Sequence, residues 1–94
     1  MRVIAWSRLR AFAEVHPDSL SPLKLWFQRM ERGSFATPGD IKGTFGTTVD
    51  FVRDVVVFDI GGNMYRLTAN IRYHAYTVYV CRVMTHSEYD KGHL

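Results

Sequence analysis

The chain predicts an α+β domain in the order β-α-α-β-β-β, with two N-terminal helices packed on one face of a mainly antiparallel sheet. Three observations carry this. Leu23, Trp26, Phe27 and Met30 fall at i, i+3, i+4 and i+7, one apolar helical stripe. Further on, Tyr65, Leu67, Ala69, Ile71 and Tyr73 alternate with Arg66, Thr68, Asn70 and Arg72, the period of a strand with two unlike faces. Turn signals separate the strand-like runs: Gly61-Gly62-Asn63 and His74-Ala75. Ninety-four residues fit one domain, spanning 1–94, and a hydrophobic fraction of 47% suffices for a core.

Taken in order, Val3 to Trp6 is short and partly β-branched, and reads as a strand. Ser7 is a suitable N-cap for a helix carrying Leu9, Phe12 and Ala13, which Pro17 stops. Ser21-Pro22 starts the second helix and Gly33 closes it. The segment from Ser34 to Asp54 is a long connection with a short helix at Pro38 to Lys42. Val55 to Ile60, Met64 to Tyr73 and Tyr76 to Met84 are three strands, the last apolar enough to lie centrally. A short tail follows.

Charge and cysteine content bound the partners. The net charge of +3 favours anionic partners, nucleic acid or an acidic protein segment, without deciding between them. Cys81 is the lone cysteine, so no internal disulfide is expected and a reducing cytoplasm is the natural setting. No secretory leader and no apolar run long enough for a membrane span are read. His16, His74, His86 and His93 show no ligand spacing, so neither metal nor cofactor is expected.

Two constellations can carry chemistry. The polar strand face presents Arg66 and Arg72, guanidiniums suited to phosphate and to its developing charge; the same pattern describes an ordinary wet sheet face. Thr85-His86-Ser87-Glu88-Tyr89-Asp90 places a proton-transfer group, His86, three residues before Tyr89, and the two share a side if the segment turns helically. Asp90 either orients His86 or caps the tail. Lys42 is either a phosphate contact or a solvated lysine. Tyr65, Tyr73, Tyr76 and Tyr79 read as packing residues.

The phrases Phe58-Asp59-Ile60-Gly61-Gly62-Asn63-Met64-Tyr65-Arg66-Leu67 and Thr85-His86-Ser87-Glu88-Tyr89-Asp90-Lys91 resemble the HigB toxins of bacterial type II toxin–antitoxin systems. Pro38-Gly39-Asp40-Ile41-Lys42 extends the resemblance into the loop. It implies a RelE-like fold and ribosome-dependent mRNA endoribonuclease activity, in which the ribose 2′-hydroxyl attacks the adjacent phosphate without a metal. It implies Arg66, His86 and Tyr89 as catalytic residues and Lys42 as a phosphate contact, with Asn70, Arg72 and Arg82 along the RNA. The partners it implies are mRNA, the ribosome and a helix-turn-helix antitoxin of the HigA kind, bound remotely or over the strand face. There are two departures. Cys81 stands at a usually basic place, which Arg82 fills only if a bulge turns it. Asp59 stands where Asn is usual. The alternative is a non-catalytic RNA- or protein-binding module of the same fold.

Overall fold

The computed structural model describes residues 1–4 and 6–91. Among them, strands β1 (Arg2–Ile4), β2 (Val49–Val52), β3 (Val55–Ile60), β4 (Tyr65–Arg72) and β5 (Thr77–Thr85) form one sheet in the order β1-β5-β4-β3-β2. Neighbouring strands from β2 to β5 are antiparallel, and β1 runs parallel to β5. The helices are α1 (Trp6–Val15), α2 (Leu20–Arg32), α3 (Pro38–Phe45) and α4 (His86–Asp90), with single 3-10 turns at Pro17–Ser19 and Gly46–Thr48.

The α+β architecture agrees with the sequence reading, with an edge strand, β2, and a terminal helix, α4, more than it expects. α3 continues past Lys42 to Phe45 because Ile41 and Phe45, one helical turn apart, are both buried. Thr37 and Asp40 close a reciprocal capping box at its start. β2 is only Val-Asp-Phe-Val, too short for a period-2 pattern to stand out. It turns into β3 through Arg53, held at φ +57°, a conformation that an arginine does not announce. At the N-terminus, pairing with β5 ends at Ile4, and Trp6 and Ser7 are already helical, so Ser7 is not the cap. α2 begins at Leu20, placing Pro22 in the first turn, where a missing N–H costs no helical bond.

The expected apolar stripe is the core. Leu9, Leu23, Trp26 and Met30 from the helices pack with Phe58, Leu67, Ala69, Val78 and Val80 from the sheet. Gly33 fits closely: a Cβ there would run into the Phe35 ring and the Arg29 carbonyl, so a larger residue would force a shift. The Met1 amino group donates to the carbonyls of Met30, Glu31 and Gly33, satisfying the end of α2 with a cation. α2 is less fully committed than the stripe implies, since Leu25 and Leu20 are exposed. Tyr76 and Tyr79 are exposed too, rather than packed.

Candidate functional site

The face of the sheet away from α1 and α2 is not uniformly wet. Arg66 is only 7% exposed and Thr68 1%. For Arg66 the reason is α4, which begins directly after β5 and sets Tyr89 and His86 against the guanidinium; the His86 N–H donates to the Met64 carbonyl. Thr85 caps α4: its hydroxyl accepts from the Glu88 N–H, and the Glu88 carboxylate accepts from the Thr85 N–H. These bonds hold the Glu88 carboxyl below its usual range, the Thr85 backbone contact contributing most. The helical turn brings His86 and Tyr89 to the same end of β4.

Arg66 is the centre of the arrangement. Its Nε lies 3.1 Å from Asp59 Oδ1, directly across the β3–β4 ladder. Its Nη1 donates to the Tyr65 carbonyl at 3.0 Å. Its Nη2 donates to Asn63 Oδ1 and stands 2.9 Å from His86 Nδ1. The guanidinium carbon lies 5.7 Å from the centre of the Tyr89 ring. A buried cation needs this kind of satisfaction, and four of its five N–H groups are engaged, leaving one on Nη1.

The contacts fix the His86 tautomer. Guanidinium only donates, so Nδ1 carries the lone pair and Nε2 carries the proton. Nε2 lies 3.0 Å from Asp90 Oδ2, one helical turn on. Of the two roles open to Asp90, the geometry selects contact with His86. The imidazole is thus oriented by Asp90, with Nδ1 on Arg66.

Lys42, Asp50, Val57, Asp59, Arg66 and Tyr89 line a hollow of about 450 Å³ at this end of the sheet. Two cations face two carboxylates there, so the hollow is polar rather than strongly basic. Lys42 Nζ donates to the Val49 carbonyl at 3.4 Å. The structure therefore gathers Arg66, His86, Tyr89 and Lys42. Asn70 and Arg72 lie further along β4: Asn70 donates to the Asp54 carbonyl, and Arg72 is exposed opposite Thr77.

Arg82 belongs to the same face. Thr68 pairs with Arg82 and Ala69 with Val80, so Cys81 is the extra residue of a β-bulge. A regular ladder would set Cys81 opposite Thr68; the bulge sets Arg82 there instead. Arg8 of α1 donates to the Cys81 carbonyl at 2.7 Å, occupying a group that the bulge leaves outside the ladder. The sequence reading missed Asp59 and Asn63 as partners of Arg66. The signal was present in their positions, one just before and one at the end of the Gly-Gly turn that folds β3 back on β4. Gly61 and Gly62 both have positive φ there, at +64° and +69°. His93 lies outside the described residues.

A family model described as HigB toxin, the RelE-like toxic component of a toxin–antitoxin system, matches residues 19–92. The mRNA interferase toxin HigB of Escherichia coli (strain K12) is 30% identical over 92 residues, covering 96% of this chain and 88% of the relative. The mRNA interferase HigB of Shigella flexneri matches with the same identity and coverage. The mRNA interferase HigB of Escherichia coli O6:H1 is 26% identical over 93 residues, 97% of this chain and 90% of the relative.

Proposed function

The chain belongs to the HigB toxin family, and we propose that it is an mRNA endoribonuclease, acting on messages held by the ribosome and restrained by an antitoxin. In this reading residues 1–94 form one RelE-like domain working in the cytoplasm. The observation that supports it is the direct contact of a buried guanidinium with a histidine whose basic nitrogen faces it, beside a tyrosine and a hollow.

A phosphodiester entering between Arg66 and His86 takes the free Nη1–H and the Nη2–H that His86 now accepts. That exchange releases Nδ1. The 2′-hydroxyl gives its proton to Nδ1, and O2′ forms a bond to phosphorus. Charge developing on the phosphoryl oxygens is met by Arg66 and Lys42. The P–O5′ bond breaks, and the leaving oxygen takes a proton from Tyr89 or from the new imidazolium, whose Nε2–H stays on Asp90. The products are a 2′,3′-cyclic phosphate and a 5′-hydroxyl. Asn70, Arg72 and Arg82 lie along the strand face as contacts for flanking nucleotides. A helix-turn-helix antitoxin of the HigA kind is the expected restraint.

Induction of the chain alone is expected to arrest growth, and the purified chain to cut mRNA on translating ribosomes. Arg66→Ala and His86→Ala are expected to abolish both while retaining ribosome binding. Full cleavage by both folded variants would remove this mechanism. Translation arrest without any cleavage would leave the binding module.

A further inference from the structure

Resting on the toxin reading above, we propose that the groove between α2 and α3 is the docking site for an acidic, aliphatic segment of the antitoxin. The groove measures about 620 Å³ and is lined by Leu25, Arg29 and Arg32 from α2, Gly39 and Gly43 from α3, and Phe35 between them. None of these is among the residues gathered at Arg66.

Leu25, Gln28, Arg29 and Arg32 stand at i, i+3, i+4 and i+7, so they share one face of α2. Leu25 is 50% exposed on that face, although the opposite stripe already serves the core. The side chains of Arg29 and Arg32 make no hydrogen bond or ion pair among the described residues. Two unpaired cations beside an exposed leucine, all on the α2 wall of the groove, suit a segment carrying both acidic and aliphatic side chains. Asp40 also lines the groove, but its carboxylate accepts the N–H groups of Ala36 and Thr37 and is committed to the start of α3.

The glycines strengthen the argument. Both lie within an eight-residue helix, where glycine is unfavourable relative to alanine. The fold does not require them: a Cβ at Gly43 would meet nothing within 4 Å, and one at Gly39 only Thr37 Oγ1 at an ordinary 3.5 Å. A shelf of bare backbone on one side of the groove lets a partner's main chain approach closely. RNA is the weaker occupant: Arg29 and Arg32 suit phosphates, but the exposed Leu25 and the glycine shelf have no use for a phosphate backbone, whereas an acidic, aliphatic segment engages all of them.

The test uses the full chain and the antitoxin cloned from the DNA flanking its gene. The Arg29→Glu/Arg32→Glu pair and, separately, Gly43→Trp alter the two walls at exposed positions. Each variant is expected to keep its growth arrest and melting temperature, to lose at least tenfold in antitoxin affinity, and to escape neutralisation. Hydrogen exchange should show protection in α2 and α3 on binding to the unaltered chain. Antitoxin affinity unchanged in both variants overturns the groove and leaves the toxin reading standing. Loss of growth arrest with antitoxin affinity intact assigns the groove to the ribosome and overturns the proposal. Failure of the unaltered chain to arrest growth or to bind any antitoxin overturns it together with the toxin reading.

Discussion

At the scale of single residues, what distinguishes this site is how fully Arg66 is engaged before any substrate arrives. A lysine cannot replace it. The ammonium offers three donors from one point, whereas Asp59, Tyr65, Asn63 and His86 are met from three separate nitrogens. Arg66→Lys is therefore expected to fall about 10²–10³-fold in single-turnover cleavage, close to Arg66→Ala and comparable with removal of a transition-state donor elsewhere. Single-turnover rates within a few-fold of the unaltered protein would show that any cation serves. Asp59 acts in the opposite sense. Its carboxylate positions Nε but also opposes a phosphate approaching the same guanidinium. Asp59→Asn keeps an oxygen for Nε–H and removes the charge, so the KM for mRNA is expected to fall while kcat changes little. An increase in KM would mean that the negative charge itself holds Arg66 in place.

At the scale of elements, α4 and the β5 bulge decide which side chains reach the site. α4 is five residues long and exposes much of its surface, so its Thr85 cap carries unusual weight. Thr85→Ala is expected to cost about 1 kcal/mol of stability and, by unseating His86 and Tyr89, to slow cleavage more than it lowers melting temperature. The Glu88 half of the cap gives a pH dependence. Folding lowers its pKa, so its stabilisation is fully present above the ordinary carboxylate range and is lost as pH falls through the lowered value. The neighbouring Arg82 and His16 act in the same direction. Glu88→Gln should flatten the acid limb of the melting-temperature profile; an unchanged limb would assign that loss to other carboxylates. These elements also mark what could be read from the chain beforehand. Long periodic segments such as α2 and β4 were legible because their apolar residues repeat. β2 and the full length of α3 were not, since four residues carry no period and Gly43 interrupts a helix signal. The bulge follows from pairing between distant strands, so residue 81 alone could not reveal whether Arg82 or Cys81 faces Thr68. Arg66 was legible as a phosphate candidate, but its burial was not, because that depends on α4 folding back over β4.

At the scale of the whole molecule, the sheet divides two tasks between its faces. One face carries the helices and the core. The other gathers Arg66, His86, Tyr89 and Lys42, with Arg82 turned onto it by the bulge. Among the described residues no three His, Cys, Asp or Glu side chains stand together in a way that could hold a metal ion, and the proton path proposed above runs through His86 alone or with Tyr89. That path has a chemical signature independent of growth assays. If O2′ is the nucleophile, the upstream fragment ends in a 2′,3′-cyclic phosphate and the downstream fragment begins with a 5′-hydroxyl. If an activated water were the nucleophile, the upstream fragment would end in a 3′-hydroxyl or an uncyclised 3′-phosphate from the first turnover. Cleavage of a message whose scissile-position ribose is replaced by 2′-deoxyribose separates the routes further, because removing O2′ removes the nucleophile itself. Mass spectrometry of the upstream fragment at early times is expected to find the cyclic phosphate, and the deoxy-substituted message should stay intact at that position. A 3′-hydroxyl end, or cutting of the deoxy-substituted linkage at the normal rate, would overturn the role given to Nδ1 of His86 as acceptor of the 2′-hydroxyl proton.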